Sequence, residues 1–230
     1  MALKALEEYI EWNRTKGVEN DRIIEKFTAL RNGVPTSGIE GGTNFFTRDE
    51  ILDFDAKELT KVIKTRHSIR NFSDEAVDIE KVKQAIEEAN LCPSACNRQP
   101  THVHIITGEK ELEYMRKNLQ GTGGFSEKCS AFLLLTGNVS AFDFSANNHW
   151  LVSGGIFAGY LSLTLHARGI AACVIQRTLI RASKANEMRK ALSIPDNEEF
   201  ICAFGLGMYP EEFRTPKSTR LPIEELITVH

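Results

Sequence analysis

Trp150-Leu151-Val152-Ser153-Gly154-Gly155-Ile156-Phe157-Ala158-Gly159-Tyr160-Leu161-Ser162-Leu163-Thr164-Leu165-His166-Ala167 runs for eighteen residues without Asp, Glu, Lys or Arg. Its reading decides the fold. The length approaches that of a bilayer span, and Gly155 and Gly159 have the spacing that brings helices close together in membranes. Against a span stand Ser153, Ser162, Thr164 and His166, three glycines, and the lack of a second hydrophobic stretch in the chain. A helix that is apolar on most sides is also what the centre of a large core requires. The expectation is therefore a buried helix whose small residues let another element, or another subunit, come close to its backbone.

Outward from this helix the pattern alternates. Gly169 suits its C-terminus. Ala171–Ile175 reads as a strand, Leu179–Leu192 as a helix and Phe200–Leu206 as a last strand. On the N-terminal side, Ala131–Leu135 is a continuous apolar run typical of a buried strand, Glu109–Leu119 a helix and Val103–Thr107 a strand. Over Asp78–Asn90, Ile79, Val82, Ile86 and Ala89 recur at helical spacing behind a possible Asp78 cap, with Pro93 beyond the end. Helices and strands interleave, so the class is α/β or α+β, with a sheet covered by helices. Residues 1–32 carry helical periodicity through Ile10, Ile23, Ile24, Phe27 and Leu30. The glycine clusters between Asn32 and Thr43 mark a loop or arm, which either wraps the domain or a partner or is a plain surface connection.

Composition narrows the function classes. At 230 residues the chain makes one large domain or two small ones. Hydrophobic residues at 42% and charged residues at 26% exclude a disordered, collagenous or wholly membrane-embedded chain. A formal charge of -3 leaves no global basic field for nucleic acid. Five cysteines without a CxxC pair do not form a disulfide framework and suit a reducing compartment. Met1–Tyr9 contains Lys4, Glu7 and Glu8, so it lacks the apolar run of a signal peptide. The expectation is a cytoplasmic protein.

Two clusters could carry chemistry. In an extended stretch, Arg66, Ser68 and Arg70 of Arg66-His67-Ser68-Ile69-Arg70 project to one side. Two guanidiniums and a hydroxyl would make a receptor for phosphate. The other reading is a solvated helix edge, with Arg66 and Arg70 one turn apart. The proline-bracketed loop Cys92-Pro93-Ser94-Ala95-Cys96-Asn97-Arg98-Gln99-Pro100 offers a hydroxyl, two amides and backbone donors, a set suited to the edge of a heterocycle; it could equally be a plain connection. Cys92 and Cys96 lack the two partners of a closed zinc site, so no metal is expected. His102 and His104 alternate on one strand face; without a third ligand nearby they read as histidines on a partly solvated face. Gly205-Leu206-Gly207 is followed by Met208-Tyr209-Pro210, not by a helix, and is no dinucleotide fingerprint.

The order of four motifs goes further. R-H-S-I-R at 66–70, P-S-A-C-N-R-Q-P at 93–100, G-L-G-M-Y-P at 205–210 and P-K-S-T-R-L-P at 216–222 together resemble the nitroreductase family of FMN enzymes. The resemblance covers about residues 60–230 and implies an α+β fold: a mixed, mostly antiparallel central sheet between helical layers, in an intertwined homodimer. It divides the chain into an N-terminal helical extension, 1–60, and an FMN-binding domain, 61–230. It assigns Arg66 and Ser68 to the FMN phosphate and ribityl chain, and Arg70 to the ribityl chain and the N1–C2=O edge of the ring. Pro93, Ser94, Asn97 and Gln99 match the loop that reaches flavin from the other subunit. Gln176 and Arg177 match the turn near N5, and Lys217 and Arg220 the C-terminal basic pair on the phosphate. Two residues separate that pair here, where the family often has one, which makes Arg220 the better match. The implied activity takes hydride from NADH or NADPH through flavin to an electron-poor acceptor such as a nitroaromatic or quinone, with no catalytic protein nucleophile. The alternatives are a specialised flavin dehydrogenase or oxidase or a reductive dehalogenase of the same fold, or a non-catalytic FMN-binding protein.

Overall fold

The computed structural model describes residues 2–18, 20–32, 34, 41–142, 148–176 and 182–230. These fall into two units, Met1–Ala56 and Lys57–His230. In the first, the periodicity over residues 1–32 resolves into two helices, α1 (Ala2–Thr15) and α2 (Asp21–Arg31). Asn20 caps α2 by accepting from the Ile23 amide. Only Ile10 and Phe27 of the two helices are buried, while Leu30 is exposed. A one-turn helix, α3 (Arg48–Ile51), is held by a capping box between Thr47 and Glu50. Most of the expected arm between Asn32 and Thr43 lies outside the described residues.

The second unit opens with α4 (Ala56–Thr65) and α5 (Ile79–Ala89). Asp78 accepts from the amides of Glu80 and Lys81 and so starts α5 where the pattern placed it. There follow β1 (Thr101–Ile106), α6 (Glu109–Asn118), β2 (Ala131–Asn138), α7 (His149–Ala167), β3 (Ile170–Ile175), α8 (Ala182–Leu192) and β4 (Glu198–Met208). The strands form one sheet in the order β1-β2-β4-β3. Every pairing is antiparallel, with no parallel neighbour among the described residues. No described helix is long and apolar enough to cross a membrane.

Alternation along the strands builds two cores. Phe132, Leu134, Ala203, Cys173 and Ile175 share one face of the sheet with Leu112 and Met115 of α6 and Met188 of α8. Leu133, Leu135, Cys202, Phe204 and Leu206 share the other with Val82, Ala85 and Ala89 of α5 and with Phe157, Leu161 and Leu165 of α7. Full burial of each large side chain contributes about 1.5–3 kcal/mol, so the three α7 anchors hold that helix firmly. Thr164 Oγ1 donates to the Ala85 carbonyl at 2.8 Å, and Arg168 binds Glu88 and Gln84, which locks α7 onto α5.

One irregularity shapes the sheet. Leu135 pairs with Cys202 but Thr136 with Phe200, so Ile201 is an extra residue, a β-bulge. The bulge reverses the parity of β4 and turns Glu198 to the same face as Thr136, His102 and His104. Glu198 is only 3% exposed. Its carboxylate accepts from His102 Nδ1 at 2.6 Å, from His104 Nε2 at 2.8 Å and from the Thr136 hydroxyl. His102 and His104 are thus not simply solvated strand residues: their partner comes from a strand 94–96 positions away, beyond the reach of local spacing. Burial pushes the Glu198 carboxyl up, but the hydrogen bonds from Thr136, His104 and His102 outweigh it and hold it below the usual glutamate range.

A group with a lowered folded pKa contributes stability above its unfolded value and loses it as pH falls through the folded one. Stability should therefore decline as pH drops below about 4.3, the ordinary glutamate value. Thr136→Val removes a donor to a buried charge and should cost about 1.5–3 kcal/mol at neutral pH. Urea unfolding of the two proteins across pH 3–7 checks both; equal stability at pH 7 would contradict the assignment.

Candidate functional site

The Arg66 cluster lies at the end of a helix, not along its edge. The Arg66 amide still bonds to the Val62 carbonyl at 3.0 Å, and the chain then leaves α4. Ile69, 2% exposed, anchors it in the core, and its amide bonds to the Ala172 carbonyl of β3 at 3.0 Å. With Ile69 turned inward, Arg66 and Ser68 face the opposite way and line a cleft of about 620 Å³. Val174 of β3 and Gln176 just after it, and Ile201 and Cys202 from β4, line it too, together with Leu151, Gly155, Ala158, Gly159 and Ser162 of α7.

The composition of the cleft is one-sided. A guanidinium, two hydroxyls and an amide line it, with no carboxylate, and no ion pair engages Arg66 among the described residues. Ionised anions suit such a place, since the cation is not neutralised from within the fold. The floor is apolar and open: a Cβ built on Gly155 or Gly159 would meet nothing within 4 Å. The neighbouring Gly154 faces the opposite situation, for its Cβ would fall 2.1 Å from the Ile201 side chain. Gly154 serves packing within the chain, whereas Gly155 and Gly159 leave room beside it. Burial pushes the Cys202 thiol up to about 12, so it is no nucleophile at neutral pH.

These placements sort the expected site residues. Arg66, Ser68 and Gln176 are brought together. Arg70 is exposed and does not line the cleft; it sits close enough to Cys173 to draw that thiol's pKa down against the rise from burial. Pro93, Ser94, Asn97 and Gln99 belong to the loop joining α5 to β1 and do not line the cleft of their own chain. Ser94 Oγ accepts from the Gln99 amide at 3.0 Å, and Gln99 Nε2 donates to Asn97 Oδ1 at 3.1 Å. Cys96, Asn97 and Gln99 all have positive φ, at 52°, 51° and 45°. Such conformations cost non-glycine residues about 1 kcal/mol or more each and concentrate at functional sites. Lys217 and Arg220 are exposed on the C-terminal segment, away from the cleft lining, and Arg220 donates to the Ser218 carbonyl. Arg177 lies outside the described residues. Among those residues, no group of three His, Cys, Asp or Glu side chains could hold a metal ion.

The α7 stripe of Gly155, Gly159 and Ser162 was visible in the sequence as small residues at helical spacing, but not as the floor of a cleft. Nor does α7 meet the expectation of a helix buried on most sides. Ser153, Gly154, Phe157, Leu161 and Leu165 are buried, while Leu151, Val152, Ile156 and Tyr160 are exposed. The sheet and α5 cover only one side.

The sequence model of the nitroreductase family matches residues 63–135, which includes the Arg66 segment and the strained loop. A 4-nitrobenzoate reductase of Pseudomonas putida is 24% identical over 217 residues, 75% of this chain and 92% of the relative. Among solved structures, a nitroreductase family protein from Streptococcus pneumoniae is 24% identical with a TM-score of 0.61, covering 75% of this chain and all of that one. A protein from Exiguobacterium sibiricum, named as a candidate nitroreductase and solved in complex with FMN, is 20% identical with a TM-score of 0.66, covering 74% of this chain and 96% of that one. Over residues 63–135 this chain thus carries the sequence pattern of the nitroreductase family, and its fold is that of these solved structures.

Proposed function

We propose that this protein is an FMN-dependent oxidoreductase that takes hydride from NADH or NADPH and delivers it to an electron-poor acceptor such as a nitroaromatic or a quinone. The observation that carries this reading is the cleft in which Arg66 and Ser68 meet Gln176 beside the open glycine floor of α7. Its residues fit the group. A phosphate needs cationic and hydroxyl donors with no carboxylate nearby. A flat ring system needs an apolar floor without side chains projecting into it, in a cleft of several hundred Å³. The FMN-bound relative of the same fold supports the choice of ligand.

When bound, FMN supplies the hydride-accepting ring, so no protein nucleophile is needed. The protein's part is to bind and orient. Arg66 and Ser68 hold the phosphate and adjoining ribityl chain, with the exposed Lys217 and Arg220 as further cations for the same end. Gln176 presents its amide to the cleft as a further polar group. Arg70 does not line the cleft within its own chain; the family resemblance assigns it to the ring edge, where a cation would favour the negative charge that reduction places there.

The same reading supplies the missing wall. Leu151 of the cleft lining, with Val152, Ile156 and Tyr160 on the same helix, gives α7 an exposed apolar surface. A second copy of the chain covers this surface and brings Pro93, Ser94, Asn97 and Gln99 to its partner's flavin. Preorganisation by the loop's internal hydrogen bonds suits that task, because an already ordered loop loses less entropy on binding.

Purified protein should carry or take up FMN, visible as flavin absorption, and should oxidise NADH or NADPH faster when a nitroaromatic is added. Arg66→Ala should weaken FMN binding roughly 10- to 150-fold, the value of a charge-assisted hydrogen bond of about 1.5–3 kcal/mol. Ser68→Ala removes a neutral donor and should cost about 1 kcal/mol. Titration of FMN into the apo-proteins measures both; affinities unchanged in both variants would remove the cleft from the proposed role. Ile156→Lys should shift the protein towards monomer in sedimentation velocity and lose FMN with it. A monomeric wild-type protein that keeps stoichiometric FMN would contradict the two-chain site.

A further inference from the structure

Below the phosphate-binding end of the cleft lies a chain of polar contacts that the proposed chemistry does not use. Thr65, the last residue of α4, donates its hydroxyl proton to the Lys61 carbonyl at 2.8 Å. A hydroxyl has only one proton. Its oxygen must therefore act as acceptor in the 2.8 Å contact with His166 Nε2, which places the imidazole proton on Nε2. Nδ1 is left as an acceptor and receives the Tyr209 hydroxyl, also at 2.8 Å. Tyr209 in turn packs its ring against Phe213, 5.4 Å between centroids.

The position of this chain gives it a purpose. Thr65 immediately precedes Arg66. His166 stands one turn beyond Ser162 on α7, and its stripe continues to Gly159 and Gly155. Tyr209 opens the segment that runs from the end of β4 towards Lys217 and Arg220. One imidazole thus joins the residue before the proposed phosphate cation, the helix that floors the cleft, and the start of the C-terminal basic segment. We propose that His166 is a positioning residue for the phosphate end of the cleft, a donor–acceptor bridge that sets Arg66 against the floor of α7; this rests on the FMN reading given above.

The charges around His166 agree with the bridge. The groups acting on the imidazole are Arg66 and His67 from the segment after α4, and Tyr209 from the segment after β4. Burial, then the charge of Arg66 and the neighbourhood of His67, hold the imidazole below its ordinary value, which keeps the Nδ1 lone pair available to Tyr209. His67 itself turns away, its Nδ1 donating to the Thr65 carbonyl at 2.8 Å.

The test compares FMN with riboflavin, which shares the ring and ribityl chain but lacks the phosphate. Affinities for both are measured by titration into apo-protein for wild type, His166→Phe, His166→Gln and Tyr209→Phe. His166→Phe should weaken FMN roughly tenfold, about one lost hydrogen bond in a charged site, and leave riboflavin within about twofold, since no phosphate contact is at stake. His166→Gln, whose amide can both donate and accept, should recover most of the loss. If His166→Phe fails to fold, the pair His166→Gln and Tyr209→Phe decides: the first should keep the preference for FMN over riboflavin and the second should reduce it. Equal losses for both ligands, or no loss for FMN, would overturn the positioning role. A wild-type protein that binds neither ligand would instead bring down the FMN reading itself, which separates the two failures.

Discussion

The approach of α7 to the sheet governs the rest of this molecule. At the Ile201 bulge an extra side chain leaves β4, and it fits against the helix only because position 154 carries no Cβ. Gly137 makes the same concession on β2, where a Cβ would fall 2.6 Å from the Trp150 ring. Close approach at this end lets Phe157, Leu161 and Leu165 bury completely further along. Interiors are packed like organic crystals, so a helix seated this tightly has one register and one rotation. That rotation leaves Gly155 and Gly159 facing outward, and with them the cleft.

The bulge also separates two electrostatic tasks onto opposite faces of the sheet. On one face Glu198 is buried, and three donors compensate its charge. Burying a carboxylate without such partners would cost several kcal/mol, so those donors are structural requirements. On the other face Arg66 has no carboxylate partner among the described residues, and its charge remains available to a ligand. The fold thus neutralises one buried charge internally and leaves another without an internal partner at an open cleft, the arrangement that the proposed anion site requires.

The connecting segments share in this division. The Cys92–Pro100 loop holds three non-glycine residues in left-handed conformations, and its contacts run mostly within the loop or to β2 and the turn after it. Arg98 donates to the Ala141 carbonyl and lies over the Phe142 ring, 5.3 Å from its centroid. The Asn138 amide holds the Pro100 carbonyl at 2.8 Å. Strain of this kind persists only where the surroundings fix it. Asn97 and Gln99 stay exposed on this fixed loop.

Much of this architecture was legible in the residues alone. Every strand and helix expected between Asp78 and Leu206 is present within a few residues of its expected bounds, except that the first residues of the helix expected from Leu179 lie outside the described set. Local periodicity and capping decide such elements, and both operate over a few neighbouring residues. The motifs at 66–70 and 93–100 likewise stood out by their residue types, because guanidiniums, hydroxyls and amides declare their chemistry without a fold. What they face did not. Glu198 meets His102 from a distant strand through a bulge that no local pattern announces, and Ile201 and Cys202 enter the cleft by the same route. The sequence determined where helices and strands form and which side chains could bind an anion. Only the tertiary structure decided that Arg66, Ser68 and Gln176 share a cleft while Arg70 and the proline loop do not, because that depends on the seating of α7 against the sheet, a contact between residues far apart in the chain.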